Sequence, residues 1–217
     1  MAYEKEQKIA LQAAAAAARL CEQVRVQKLS DAIEKPDESP VTIADYASQA
    51  IICRLLAEAF PADAIVGEED ATLLQQPDMA DCLARVTAIV AESVPDATPE
   101  KIVAWVGRGK GELGRRFWTL DPIDGTKGYV RGDQYAIALA LIEDGEVKVG
   151  VVGAPAMLLD PADPNAGQGA LFLGVRGEGA TLFSMDLQMV KPLKVNDASK
   201  AADFRLVQSV EKSHGTP

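Results

Sequence analysis

The spacing of the apolar residues changes part-way along the chain, and this change limits the fold more than any other feature. Apolar side chains recur at helical intervals in four early segments, which predicts helices at 3–29, 43–60, 79–93 and 99–106. From Tyr135 onward they alternate with polar ones, and two hairpins are predicted, turning at 143–145 and 177–179. Further strands are predicted at AIVGEED, RFWTLD, KPLKV and FRLVQSV. Helices followed by an antiparallel-rich sheet indicate an α+β fold with helices layered against the sheet.

Two of the predicted helices carry local signals of their own. The first has a face of small or apolar residues, Leu11, Ala14, Ala15, Ala18 and Cys21, which allows another element to approach closely. Thr42 precedes the second helix and has the side chain of a helix N-cap. We find no internal repeat and no interdomain linker, so the sequence predicts a single structural unit over 1–217.

The charge of the chain restricts its partners. The formal net charge is −10 and the pI is near 4.7, which argues against a general nucleic-acid-binding surface. A small anionic substrate is compatible with this charge if bound cations or a few basic residues recruit it locally.

The apolar runs are too short to span a bilayer, so no membrane association is predicted. The N-terminal stretch mixes acidic and basic residues and predicts a helix rather than a signal peptide. The three cysteines, Cys21, Cys53 and Cys82, lack the spacing of metal ligands. They are predicted to be buried free thiols in a reducing compartment, which places the protein in the cytoplasm.

Acidic side chains occur at three boundaries between predicted elements. Asp45 begins a helix, Glu68 and Glu69 follow a short strand, and Asp121 and Asp124 end another. Carboxylates at such ends can converge on one point. Oxygen ligands without histidine or cysteine suit a hard cation, above all Mg²⁺.

The residues between and after the last two acids support this interpretation. Pro122 stiffens the turn, while Gly125 and Thr126 begin a helical turn with free N–H groups and a hydroxyl suited to a phosphate or a water. The alternative is that these acids are solvated surface residues, and that Asp45 is an ordinary first-turn acid favoured by the helix dipole. The residues alone leave both interpretations open.

The motifs VTIAD (41–45), GEED (67–70) and DPIDGTKG (121–128), in this order, resemble the inositol monophosphatase superfamily of Mg²⁺-dependent, lithium-sensitive phosphatases. The continuation DGTKGYVRGDQYAIALALIEDGEVKVGVVGAPAM, with SPVT upstream and SVEKSHGTP downstream, resembles its 3′(2′),5′-bisphosphate nucleotidase branch. The resemblance implies removal of the 3′-phosphate of 3′-phosphoadenosine 5′-phosphate (PAP) to give AMP, and similar action on its sulfated relative PAPS to give APS. Inositol monophosphatases typically have an asparagine-aromatic pair in place of Lys127-Gly128.

The resemblance also implies roles for individual residues. Glu68, Asp121 and the main-chain carbonyl of Ile123 would hold a first Mg²⁺, and Asp121 with Asp124 would hold a second. The attacking water would be activated without a covalent intermediate.

Two residues would activate that water, namely Asp45 and Thr126, and Thr126 would also contact the substrate. His214, the only histidine, falls where the branch contacts its nucleotide. Without the resemblance, His214 is better explained as a solvated loop residue.

The match is expected to cover about the first three-fifths of a typical family member. The family's later W-D-x-A-A-G segment, whose aspartate is a metal ligand, does not occur in the sequence. We therefore expect the chain to be the N-terminal metal-binding part, weakly active or inactive alone, with the remainder missing or on a second polypeptide. Two alternatives remain, an inositol or sugar phosphate phosphatase with the same site, and a nucleotide-binding subunit without turnover.

Overall fold

The computed structural model describes residues 2–27, 33–34, 40–160, 162–163 and 165–204, and of 33–34 and 40–41 it describes the backbone only. Its helices are α1 (Glu4–Val26), α2 (Ile43–Ala59), α3 (Ala71–Leu74), α4 (Ala80–Ala91), α5 (Pro99–Gly107) and α6 (Thr126–Arg131). Its strands are β1 (Ile33–Glu34), β2 (Pro40–Val41), β3 (Ala64–Val66), β4 (Arg116–Asp124), β5 (Ala136–Glu143), β6 (Glu146–Leu158), β7 (Gln168–Val175), β8 (Gly179–Ser184) and β9 (Met189–Leu193).

The seven strands β3 to β9 form one sheet in chain order. β3 pairs parallel with β4, and every later pair is antiparallel. Because side chains alternate across a strand, one face collects the buried residues in rows, such as Trp118, Leu141, Val149 and Val175 on neighbouring strands. The predicted α+β class and both predicted hairpins are confirmed.

Two helices cover the buried face of the sheet. α1 lies across β5, β6 and β7, while α2 packs between α1 and β4. The small residues of α1 are buried as predicted, with Ala14 and Cys21 at 0% exposure. Small side chains bring the two backbones close together, so α1 and α2 act as one layer under the sheet. α4 and α5 pack on the outer side of α2.

The element boundaries differ from the predicted ones in several places. α1 ends at Val26 rather than at residue 29, β4 continues to Asp124, and the short helix α3 was not predicted. The strand predicted at FRLVQSV lies almost wholly outside the described residues. All three cysteines are buried free thiols, as predicted. Within the described ranges, no helix combines the length and apolarity needed to cross a bilayer.

The opposite face of the central strands is more open. It carries small side chains, including Ala138, Ala140 and Gly150, around a shallow depression of about 300 Å³. Asp121 lines one end of this depression, so the acidic end of β4 is accessible from the open face of the sheet.

The other end of β4 is fixed by an ionic cluster. The guanidinium of Arg116 donates to Asp63 at 3.0 and 3.1 Å and to Glu6 at 3.0 Å, and lies 3.7 Å from Glu143. The indole N–H of Trp118 also donates to Asp63, at 3.1 Å. This cluster ties β4 to α1 and to the turn before β3.

The glycine-rich segment before β4 runs against β3. The Gly111 N–H donates to the Ile65 carbonyl at 2.8 Å, and Lys110 forms an isolated antiparallel bridge with Val66. A Cβ at Gly111 would lie 2.6 Å from the Ile65 oxygen, so the close approach requires glycine.

Candidate active site

Asp121 and Asp124 are separated by a bulge in β4. The antiparallel pairing with β5 is regular up to Asp121, which lies opposite Ala138, and then shifts so that Asp124 lies opposite Ala136. Asp121 Oδ1 accepts a hydrogen bond from the Ile123 N–H at 3.1 Å, which fixes the bulge. Bulges redirect side chains. Because of this bulge, Asp121 and Asp124 do not follow the regular alternation of side chains between the two faces of the sheet.

The segment after the bulge turns directly into α6. Gly125 has φ +90°, a left-handed conformation that side chains disfavour, so the turn requires glycine. The Thr126 hydroxyl donates to the Ile123 carbonyl at 3.2 Å. Tyr129 anchors α6 on α1, since its hydroxyl donates to the Cys21 carbonyl at 2.7 Å.

The GEED segment reaches the same place from β3. Because β3 and β4 are parallel, with Val66 opposite Thr119, the chain leaves β3 beside the end of β4. Glu68 is exposed, and its carboxyl group lies close enough to Asp121 to help raise the pKa of that residue. Glu69 is only 2% exposed and lies in the interior. The two neighbouring acids therefore have different surroundings.

Burial and neighbouring charge raise the pKa of Asp121 to about 7. Burial contributes most, followed by the charge and hydrogen bond of Glu68 and then the charge of Asp124. A carboxyl group with such a pKa is crowded by like charge. In the described part of the chain, no three acidic, histidine or cysteine side chains surround one point as a complete metal cage would. The donors are nevertheless hard oxygens, and the chemistry of this set fits Mg²⁺.

Asp45 is held at the start of α2. Its Oδ2 accepts hydrogen bonds from the Thr42 N–H at 2.7 Å and from the Thr42 hydroxyl at 2.6 Å, and Thr42 caps the helix in return. The pair forms a capping box, so the predicted N-cap is confirmed. Asp45 is 1% exposed, and after burial and the charge of Cys21 its own charge helps to raise the pKa of Tyr129 on α6.

The structure places Asp121 near both Glu68 and Asp124, and the Ile123 carbonyl and Thr126 belong to the same turn. His214 lies outside the described residues.

Two side chains of this region were missed in the sequence, namely Ser48 and Gln49, which are 0% exposed and contact the acidic segments. The available signal was their spacing, three and four residues after Asp45 in an otherwise apolar helix.

Comparison with known proteins identifies the class. The sequence profile of the inositol monophosphatase family matches residues 2–216, and the chain belongs to this family. Among solved structures, it is similar to the Thermotoga maritima IMPase, with a TM-score of 0.54 and 23% identity over 82% of this chain and 51% of that one. The inositol monophosphatase from Anabaena (Nostoc) sp. PCC 7120 gives a TM-score of 0.53 with 21% identity over 92% and 53%. At this identity the likeness concerns the fold.

Curated relatives are more similar in sequence. The chain is 36% identical to a 3′(2′),5′-bisphosphate nucleotidase of Schizosaccharomyces pombe, over 99% of this chain and 66% of the relative. It is 38% identical to 3′(2′),5′-bisphosphate nucleotidase 1 of Arabidopsis thaliana, over 99% and 67%. The chain thus spans about two thirds of the length of the curated relatives it matches.

Proposed function

We propose that this chain is the metal-binding part of a phosphatase that removes the 3′-phosphate of PAP to give AMP, and of PAPS to give APS. The observation that carries the proposal is the contact between Glu68 and Asp121, with Asp124 close by. Glu68 follows β3, and Asp121 and Asp124 lie in β4, so the parallel pairing of these strands brings like charges together at a solvent-accessible end of the sheet. The identity with 3′(2′),5′-bisphosphate nucleotidases supports the choice of substrate.

In this proposal Glu68, Asp121, Asp124 and the Ile123 carbonyl hold Mg²⁺. The bound cation supplies neutralisation of the phosphate charge and a lowered pKa for an attacking water. The crowding of the carboxylates fits this role, because burial and then the charges of Glu68 and Asp124 raise the pKa of Asp121, and a bound cation would stabilise its ionised form.

The remaining residues act on the water and the substrate. Thr126 already directs its hydrogen to the Ile123 carbonyl, so its oxygen can accept a hydrogen bond from the attacking water. Asp45 accepts the proton of that water, and Thr42 fixes its orientation. His214 contacts the nucleotide. Alignment and charge neutralisation carry the reaction, as in other phosphoryl transfers.

The experiment measures phosphate release from PAP, PAPS, inositol 1-phosphate and a sugar bisphosphate, with Mg²⁺ and with or without Li⁺. Calorimetry of PAP binding and an intact-mass search for a second polypeptide accompany it. Asp121→Asn tests the site. Asp133→Asn is the matched control, because Asp133 is exposed and pairs with Arg131 at 2.9 Å.

In a sample that contains the remaining polypeptide, Mg²⁺-dependent release from PAP that Asp121→Asn abolishes and Asp133→Asn retains is the expected result. Preference for inositol 1-phosphate or the sugar bisphosphate would overturn the substrate. Mg²⁺-dependent PAP binding without release, in a sample that contains the remaining polypeptide, would favour a binding subunit.

A further inference from the structure

Helix α2 places two polar side chains on its buried face, one turn after Asp45. Ser48 and Gln49 are both 0% exposed. A buried amide or hydroxyl costs free energy unless it is hydrogen-bonded, so the partners of these two groups matter. Both bind main-chain atoms of the segments that carry the acidic residues.

Gln49 binds the GEED segment through both of its amide atoms. Its Oε1 accepts from the Glu69 N–H at 2.8 Å, and its Nε2 donates to the Glu69 carbonyl at 2.7 Å. The same Nε2 donates to the Val106 carbonyl at the end of α5, at 3.1 Å. The Gln49 side chain therefore satisfies both main-chain hydrogen-bonding groups of Glu69, as a neighbouring strand would. Glu69 directly follows Glu68 in the chain.

Two glycines pack closely against the Gln49 amide. A Cβ at Gly67 or at Gly109 would lie 2.6 Å from an amide atom of Gln49. The Gly67 N–H also donates to the Gly109 carbonyl, at 2.8 Å. Two backbones thus pass directly against the Gln49 amide, one on each side of the position where Gln49 binds Glu69.

Ser48 performs the same task for the other acidic segment. Its hydroxyl donates to the Pro122 carbonyl at 3.1 Å. Pro122 lies inside the β4 bulge, between Asp121 and Asp124, where the pairing with β5 shifts. The hydrogen bond ties the bulge to the helix that also carries Asp45.

We infer that Ser48 and Gln49 are positioning residues that hold the Glu68 and Asp121–Asp124 segments in register with each other through α2. A rigid helix then fixes the spacing of carboxylates that come from three separate parts of the chain. This inference rests on the proposed function, because the spacing matters only if these carboxylates bind a cation. Residues that orient metal ligands typically change metal affinity about 10- to 100-fold when they are replaced.

The test uses Gln49→Met, which keeps the length of the side chain but removes its hydrogen bonds, and Ser48→Ala, a milder change that keeps the fold if Gln49→Met does not. Leu56→Val is the control, a loss of packing on the same helix about 12 Å from Ser48 along its axis. Circular dichroism reports the fold, amide hydrogen exchange reports the loop at 67–70, and electron paramagnetic resonance reports binding of Mn²⁺ as the probe.

We expect Gln49→Met to speed exchange of the Glu69 amide at least tenfold and to weaken Mn²⁺ binding about tenfold. Ser48→Ala should weaken Mn²⁺ binding severalfold and leave the Glu69 amide protected. Leu56→Val should change neither. Folded variants that bind Mn²⁺ like the wild type would overturn the inference alone, whereas a wild type that binds no Mn²⁺ would overturn the proposed function as well.

Discussion

The carboxyl groups of Glu68 and Asp121 lie close to each other, although one follows β3 and the other belongs to β4. The contact brings like charges together at the edge of the open sheet face. Such an arrangement is unfavourable without a cation, and it makes a direct prediction for the stability of the chain.

Asp121→Asn should leave the metal-free protein at least as stable as the wild type, because it removes one of the crowded charges. Mg²⁺ should stabilise the wild type by about 2.7 kcal/mol at a hundred times its dissociation constant, and the variant hardly at all. Thermal unfolding with EDTA and with Mg²⁺ measures both effects. Asp133→Asn should respond like the wild type, and an equal Mg²⁺ response in Asp121→Asn would contradict the proposed ligand.

Arg116→Leu should destabilise the protein by about 3 kcal/mol, since it leaves poorly solvated carboxylates without their cation. The Asp63 and Glu6 side chains are only 14% and 16% exposed. Urea unfolding measures the loss. Arg115→Leu is the neighbouring control, because Arg115 is 84% exposed and its pair with Asp144 is screened by solvent. An equal loss of unfolding free energy in the two variants would show that the buried cluster contributes no more to stability than the exposed pair.

Gly111→Ala should cost about 1–3 kcal/mol, because a methyl group has no room against the Ile65 backbone. Gly114 lies in the same segment, but a Cβ there would meet no atom within 4 Å and its φ is not positive, so Gly114→Ala should be nearly neutral. Denaturant unfolding of the two variants gives the comparison. A neutral Gly111→Ala would mean that this segment can move away from β3.

The buried thiols should make the protein unreactive to alkylation and sensitive to alkaline pH. Burial raises the pKa of Cys82 to about 11 and that of Cys53 to about 12, from an ordinary value of 9.0. The thiolate is the reactive form, so iodoacetamide at pH 8 should modify the native chain far more slowly than the chain in urea.

The sign of the pH effect follows from the raised pKa values. The contribution of the buried thiols to the free energy of unfolding is fully present below about pH 9. It is lost as the pH rises toward 11 and 12, because the thiols ionise at lower pH in the unfolded chain than in the folded one. Unfolding free energies measured between pH 8 and 11 should fall, less steeply for Cys53→Ala. A flat wild-type profile would contradict the burial of these groups.

The sequence alone determined the elements that depend on local spacing. Helical and alternating periods predicted α1, α2 and the hairpins, since they record which side chains share a face. The Thr42 cap was predictable because its partners lie within one helical turn. The DPIDGT motif likewise indicated a turn that holds two aspartates, and Gly125 provides the left-handed residue it needs.

Only the tertiary structure decided which of these residues meet. Glu68 and Glu69 are adjacent and chemically alike, yet the Glu69 side chain is buried, with its main chain bonded to Gln49, while the Glu68 side chain is exposed and lies near Asp121. The parallel pairing of β3 with β4 was equally invisible in either strand. Hydrogen bonds between distant segments decide these outcomes, and such bonds depend on how the helices pack on the sheet, which no local pattern of residues records.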